Sequence, residues 1–239
     1  MTTLKKGSRG AEVKQLQTLL IYVTADGIFG EKTEAAVKAF QTAHNLTPDG
    51  IVGPNTWHIL LGGDDPKDII IPCEDLKQFT EPHGSKIYGK AKDWGTYSSG
   101  ACGPTSMAIC YRALGLAPAG ENASQTILRL GQYAVDKGYR IKGNGTSASL
   151  FKTNGLKSTQ TGKQSVIENA VRSGKLVILH IKEGFKNGYG GKGHYLVAYG
   201  IQGDKLLLRD VGSSKASRQS VPLAKVKTGL KGAYVITKR

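Results

Sequence analysis

An internal repeat constrains the N-terminal quarter of the chain more than any other feature does. Residues 26–33 (DGIFGEKT) recur as residues 49–56 (DGIVGPNT), at an offset of 23 positions. Each Asp-Gly pair predicts a tight turn, and each later glycine stands directly before a predicted helix start. Three short amphipathic helices are predicted from residues that share one face, namely Val13, Leu16 and Leu20, then Thr33, Val37 and Phe40, then Trp57, Leu60 and Leu61. The repeat therefore predicts a small three-helix domain over residues 1–62.

The same segment carries a family resemblance. The stretch KKGSRGAEVKQLQTLL, followed by DGIFGEKTEAAVKAFQTAHNLTPDGIVGPNTWHIL, resembles the peptidoglycan-binding type 1 module, a three-helix domain of bacterial and phage wall hydrolases. The doubled DGIxG with a downstream threonine makes the resemblance specific. It implies a cell-wall ligand for residues 1–62, whose contact residues cannot be assigned from spacing.

A change of composition separates this segment from the rest of the chain. Residues 62–75 (GGDDPKDIIIPCED) combine Gly-Gly, an acidic cluster and Pro66, so residues 63–75 are predicted to be a linker. Beyond it, predicted helices come first, over residues 103–114, 124–138, 147–155 and 163–174. Predicted strands follow, over residues 175–181, 194–201, 205–210 and 233–237. This order predicts an α+β domain over residues 76–239, with helices packed on an antiparallel sheet.

Cys102 is the strongest candidate for a reactive side chain. It lies between glycines in the stretch SSGACGPTSM, directly before a predicted helix. A thiol is a good nucleophile only as the thiolate, which the positive end of a helix and a nearby imidazolium both stabilise. Gly100 and Gly103 keep the sulfur approachable. Cys110, by contrast, lies on the apolar face of the same helix and is predicted to be a core residue.

His194 is the candidate partner of this cysteine. It follows the glycine-rich stretch GYGGKG and begins a predicted strand. A hairpin centred on Gln202 would place Asp210 directly opposite His194 on one face of the sheet, so the carboxylate could hold the imidazole. A slip of one residue would put the two on opposite faces. The alternative, His180, lies inside a predicted strand, where a histidine is more often structural.

A second resemblance covers most of residues 76–239. The stretch GACGPTSMA, a later strand and GHYLVAYG, followed by a strand that ends in aspartate, resemble the papain-fold cysteine peptidases of the bacteriocin-leader-peptidase type. More narrowly, they resemble the branch found in phage and bacterial wall lysins. The resemblance implies that Cys102 is the nucleophile, His194 the general base and acid, and Asp210 its orienting partner. It also implies that Gln78, in LKQFTEPHGSKIYG, helps to bind the oxyanion.

The formal net charge of +15 is concentrated in the C-terminal part of the chain. Residues 101–239 carry 22 basic and 6 acidic side chains, whereas residues 1–62 carry 6 and 5, and residues 63–100 carry 5 and 7. The C-terminal part is therefore expected to be attracted to an anionic polymer, for which a wall polymer is the favoured candidate. Basic residues interleaved with aromatic ones, typical of nucleic-acid binding, do not occur, so no nucleic-acid partner is expected.

Other chemistries have little support in the sequence. The three cysteines, Cys73, Cys102 and Cys110, include no CxxC pair, and the five histidines include no HxxxH or HxH pair. We therefore expect neither a metal nor another cofactor. No apolar run is long enough to span a membrane, and the N-terminus MTTLKKGSRG lacks the apolar stretch of a secretory signal.

These features together predict a monomeric, phage-endolysin-like peptidoglycan hydrolase that cleaves peptide bonds in stem or cross-bridge peptides. It is expected to be made in the host cytoplasm without a signal peptide and to act on the cell wall after release. Two alternatives remain open at this point. One is an N-acetylmuramoyl-L-alanine amidase with the same triad, and the other is a non-catalytic wall-binding protein.

Overall fold

The computed structural model describes residues 1–20, 23–44, 46–62, 68–142, 145–152, 155–182 and 193–239. These residues form two compact units, Met1–Asp68 and Ile69–Arg239. Three sequence predictions fall partly outside the described residues: the glycine-rich loop before His194, the end of the helix over 147–155, and residues 63–67 of the linker. Within the described ranges, no helix combines the length and the apolar character needed to cross a membrane.

The N-terminal unit has the three predicted helices. They are α1 (Ala11–Leu19), α2 (Glu31–Ala43) and α3 (Pro54–Leu60). Most of the predicted core residues are buried together, among them Val13, Leu16, Val37 and Trp57. Leu61 is an exception: the prediction that it anchors the core is wrong, because α3 ends at Leu60 and Leu61 is 53% exposed.

Buried glutamines explain why the sequence repeat is also a structural repeat. Gln17 on α1 lies within hydrogen-bond distance of four partners: Gly27 N (2.8 Å), Asp26 Oδ1 (2.8 Å), Ile28 O (3.0 Å) and Thr33 Oγ1 (3.0 Å). Gln41 on α2 makes the same set of contacts with Gly50 N (2.9 Å), Asp49 Oδ1 (3.0 Å), Ile51 O (2.9 Å) and Thr56 Oγ1 (3.2 Å). Each Asp-Gly turn is therefore hydrogen-bonded to the preceding helix through a glutamine that lies outside the eight repeated residues.

The C-terminal unit consists of helices and a seven-stranded antiparallel sheet. Its helices are α4 (Tyr97–Gly100), α5 (Cys102–Ala113), α6 (Ala123–Asp136) and α7 (Gln164–Arg172). The strands of the sheet are β1 (Ile69–Ile70), β4 (Leu156–Thr161), β5 (Val177–Ile181), β6 (His194–Gln202), β7 (Lys205–Arg209), β8 (Ser220–Pro222) and β9 (Leu230–Lys238). A separate hairpin pairs β2 (Arg140–Ile141) with β3 (Gly145–Thr146).

The strand order in the sheet is β4-β9-β5-β6-β7-β8, and β1 also pairs with β6. Both faces of the sheet are covered, and the alternation of side chains along β5 shows how. Ile178 packs in a core with residues of α5 and α6, whereas Val177 and Leu179 pack in a second core with residues of α7. The α+β prediction is confirmed.

Two details differ from the sequence predictions. The segment 147–155 contains a 3-10 helix at Ala148–Lys152 in place of an α-helix. Residues 69–75 belong to the second unit and are not part of a free linker. Ile69 and Ile70 pair with Ile201 and Gly200 of β6, because their backbone groups complete the ladder along that strand.

We expect Gln17→Ala to lower the free energy of unfolding of the N-terminal unit by about 1–3 kcal/mol, because it leaves the buried Gly27 N–H without its hydrogen-bond acceptor. Trp57 fluorescence in a Trp94→Phe background reports that unit during urea unfolding. The matched control is Gln15→Ala, since Gln15 is exposed on the same helix. Equal stability of the two alanine variants would contradict the proposed anchoring.

Candidate active site

Cys102 is the first residue of α5, a helix whose residues from Gly103 to Tyr111 are all buried. The helix start packs closely against β3: a Cβ added to Gly103 would lie 2.7 Å from Thr146 Cβ, so only glycine fits there. Burial raises the pKa of the Cys102 thiol. The backbone N–H groups of Tyr195, Gly103 and Cys102 itself act in the opposite direction, because they donate to the sulfur.

His194 and Asp210 form a buried pair. His194 Nε2 lies 3.0 Å from Asp210 Oδ1, and the two side chains are 9% and 0% exposed. The same oxygen accepts the Gly212 N–H at 3.0 Å, and the Asp210 carbonyl oxygen accepts from Lys77 Nζ at 2.9 Å. These contacts hold the carboxylate behind the imidazole and fix the plane of the ring.

The route to this contact differs from the predicted hairpin. The turn lies at Gly203 and Asp204, not at Gln202, so the prediction of a directly opposed pair is wrong. Near the turn, Gly200 pairs with Leu207, a register that would put His194 and Asp210 on opposite faces.

A bulge restores the common face. Between Ala198 and Gly200 the register shifts by one residue, so that Ala198 pairs with Leu208 and Val197 with Arg209. Continued for one residue, this register places Asp210 opposite Leu196, two positions from His194 on the same face. The two side chains are therefore diagonal neighbours, a separation within reach of a histidine and a carboxylate.

Burial sets the charge state of the pair. It lowers the pKa of His194 to about 3, with repulsion from Arg218 and His180 in the same direction. Burial also raises the pKa of Asp210 to about 6, against the effect of the Gly212 N–H. Near neutral pH the imidazole is thus neutral and the carboxylate ionised. Nε2–H donates to Asp210, and Nδ1 is then the nitrogen that can accept a proton from a thiol.

Gln78 lies on the same cleft as Cys102 and His194, and the volume of this cleft is about 610 Å³. Its Nε2 donates to Ser98 O at 2.7 Å, and its backbone N–H donates to Val211 O at 2.9 Å. An amide nitrogen carries two hydrogens, so the second N–H can be directed into the cleft. The structure therefore brings three of the four predicted residues to one cleft, with Asp210 behind the imidazole.

His83 is a residue that sequence reasoning did not single out. It is 2% exposed, and its Nε2 lies 2.8 Å from the carbonyl oxygen of Lys77, the residue before Gln78. Its Nδ1 lies 2.9 Å from Ser124 Oγ on α6. A carbonyl only accepts, so Nε2 donates to it and Nδ1 accepts the serine hydroxyl. His83 thereby connects the segment that contains Gln78 to α6. No local sequence pattern predicts these contacts.

The described ranges contain no group of three or more histidine, cysteine, aspartate or glutamate side chains placed to hold a metal ion. The described residues that line the cleft supply a thiol, an imidazole and hydrogen-bond donors. A thiol and a neutral imidazole that line one cleft, with amide donors nearby, are suited to attack on a carbonyl carbon.

Comparison with known proteins assigns both units. Residues 76–239 match the Peptidase_C39 like family, and residues 9–60 match the peptidoglycan binding domain. The chain belongs to the C39-like peptidase family. Both sequence resemblances are thereby confirmed at the level of the family: residues 76–239 form a C39-like peptidase domain, and residues 9–60 match a peptidoglycan-binding domain.

Individual relatives match parts of the chain. The zinc D-Ala-D-Ala carboxypeptidase of Streptomyces albus G is 43% identical over 63 residues, which is 23% of this chain and 25% of the relative. N-acetylmuramoyl-L-alanine amidase CwlL of Bacillus licheniformis is 38% identical over 96 residues, which is 36% of this chain and 26% of the relative. The chain thus spans about a fifth to a half of the length of these curated relatives.

Two solved structures are also similar. The Burkholderia AP3 phage endolysin is 44% identical, over 29% of this chain and 28% of its own, with a TM-score of 0.27. A C39-like peptidase from Bacillus anthracis is 15% identical, over 72% of this chain and 98% of its own, with a TM-score of 0.43.

We expect activity on a wall peptide to rise between about pH 5 and 7, with a midpoint near 6, as Asp210 loses its proton. An ionised carboxylate would stabilise the imidazolium formed by transfer of the thiol proton to His194, and the protonated acid would not. Asp210→Asn should lower kcat about 100-fold or more and remove this limb of the profile.

The matched control is Asp204→Asn, an exposed carboxylate in the turn of the same hairpin, which should keep the wild-type profile. A wild-type pH profile in Asp210→Asn would show that the limb belongs to another group.

Proposed function

We propose that this chain is a peptidoglycan hydrolase that cleaves peptide bonds in the stem or cross-bridge peptides of the bacterial wall. One observation carries the proposal: a C39-like cysteine peptidase and a peptidoglycan-binding domain occur in the same chain. The first supplies a means of cutting amide bonds and the second a means of holding the polymer that contains them.

The proposed reaction begins with attack by Cys102 Sγ on the carbonyl carbon of the scissile amide. The thiol proton passes to His194 Nδ1, and the carbonyl oxygen becomes an oxyanion. Gln78 Nε2–H and the Cys102 N–H are the proposed donors to this oxyanion, and one such donor is worth about 3–4 kcal/mol in the transition state. His194 then protonates the departing amine, which leaves a thioester on Cys102.

Water completes the reaction. His194 takes a proton from a water molecule, whose oxygen attacks the thioester carbon, and the acid product leaves as Cys102 regains its proton. Because burial favours the neutral thiol and the neutral imidazole, proton transfer is proposed to accompany attack rather than to precede it. The role assigned to Asp210 is to hold the ring in the tautomer with Nδ1 open to the thiol and to stabilise the imidazolium.

The distribution of charge supports action at the wall. Residues 101–239 carry the excess of basic side chains, and anionic wall polymers would concentrate such a surface near its substrate. The likeness to a phage endolysin supports a lysin that is made in the host cytoplasm and reaches the wall after release. We propose that it works as a monomer, with the N-terminal unit bound to peptidoglycan.

An amidase remains a second candidate, because CwlL is among the relatives and the same thiol chemistry could cut the bond between muramic acid and the stem peptide. Digestion of purified sacculi, with mass spectrometry of the new termini, distinguishes the two. A new amine within the stem or cross-bridge indicates an endopeptidase, and release of whole stem peptides indicates an amidase. New reducing sugar ends would contradict both.

We expect Cys102→Ala to lower digestion of sacculi by more than about 1,000-fold, because no other cysteine is among the described residues that line the cleft. Sedimentation with sacculi should still show binding. Cys73→Ala is the matched control and should digest walls at the wild-type rate, since Cys73 does not line the cleft. Wall binding without digestion by the wild type would instead support a non-catalytic wall-binding protein.

A further inference from the structure

The cleft around Cys102 has a one-sided charge. Two permanently charged side chains line it, Arg140 and Lys231, and both are cations. Among the described lining residues there is no aspartate or glutamate. In a cleft that is partly shielded from water, unopposed charges of one sign act over longer distances than they do on an open surface.

Arg140 is a fixed cation in the wall of the cleft. It is only 5% exposed, and its guanidinium donates to four backbone carbonyl oxygens, those of Tyr88, Trp94, Ile141 and Gly145. These carbonyls satisfy its hydrogen bonds but do not neutralise its charge, and no described carboxylate pairs with it. Its Nη2 lies 3.0 Å from the position of a Cβ on Gly100, two residues before Cys102.

Lys231 brings a second cation to the sheet side of the cleft. It is exposed on β9, and its Nζ lies 3.0 Å from the position that a Cβ on Gly193 would occupy. Gly193 directly precedes His194, so the ammonium lies near the start of β6. Lys231 makes no ion pair with any described residue.

His180 lies next to this ammonium without adding charge. Its Nε2 is 2.8 Å from the same Cβ position on Gly193, and its ring stacks on Tyr195 with centroids 4.4 Å apart. Burial and the neighbouring Lys231 lower its pKa to about 4, so the imidazole is neutral near pH 7. A neutral imidazole can donate or accept one hydrogen bond beside the group that Lys231 attracts.

We propose that the cleft selects peptides with a free carboxylate close to the scissile bond, and that Lys231 is the residue that contacts this carboxylate. The inference rests on the proposed peptidase function and specifies its substrate class. Arg140 adds a positive electrostatic potential from the side of the cleft near Gly100. Stem peptides with an ionised acidic residue or terminus near the cleaved bond satisfy this requirement, and amidated peptides do not.

The test uses the soluble wall peptide that the wild-type protein cuts, synthesised in two forms. One has a free carboxylate at the acidic position nearest the scissile bond, and the other has a carboxamide there. Soluble peptides remove the general attraction of a basic protein to an anionic wall. We expect amidation to lower kcat/KM of the wild type about tenfold, the effect of one charge contact near a protein surface.

Three variants assign this preference to one side chain. Lys231→Gln should cleave the two peptides at nearly equal kcat/KM, and Lys231→Glu should prefer the carboxamide. Lys238→Gln, an exposed lysine of the same strand that does not line the cleft, should keep the wild-type preference. Arg140 is left unchanged, because its four carbonyl contacts hold the fold together.

Equal cleavage of both peptides by the wild type would overturn the inference while leaving the peptidase function intact. An undiminished preference in Lys231→Gln would also overturn it. If the wild type cut no wall peptide of either form, the proposed function itself would fail, and this inference with it.

Discussion

The hydrogen bond between His194 and Asp210 is the contact on which the candidate site depends. A fully buried carboxylate is costly to desolvate unless donors satisfy it, and here His194 Nε2–H and the Gly212 N–H do so. With Nε2 held, the imidazole has one tautomer and one orientation. The next residue of the strand, Tyr195, donates its N–H to the sulfur of Cys102, so α5 and β6 meet at the candidate site.

The pairing of strands β6 and β7 explains why the sequence predicted contact between His194 and Asp210 but placed the turn and the register wrongly. Gly203 and Asp204 form a two-residue turn, which the sequence could have indicated. That turn alone, however, would have put His194 and Asp210 on opposite faces, and only the bulge at Tyr199 restores a common face. Gly200 inside the strand is a local signal for a bulge, but it does not fix the register, so the correct turn without the bulge would have given a worse prediction.

Other predictions succeeded or failed for related physical reasons. The ends of α5 and α6 were predictable because Gly115 and Gly138 adopt positive φ angles that favour glycine. Strand β4 was missed because its sequence, LKSTQT, is polar and belongs to an edge of the sheet. His83 and Arg140 were missed because each has partners far away in sequence, Ser124 for His83 and the carbonyl oxygens of Tyr88 and Trp94 for Arg140. In the sequence, Gln17 and Gln41 resemble ordinary surface residues of a helix, because the turns that they bond to lie 8 to 10 residues further along the chain.

Alkylation of the intact protein by iodoacetamide shows whether the thiol of Cys102 reacts through His194. Peptide mass spectrometry gives separate rates for the three cysteines, with half-buried Cys73 as the internal reference and fully buried Cys110 as the unreactive one. The account predicts that His194→Ala slows alkylation of Cys102 near neutral pH by about tenfold or more and leaves the rate at Cys73 unchanged. Equal rates at Cys102 in the wild type and in His194→Ala would contradict it.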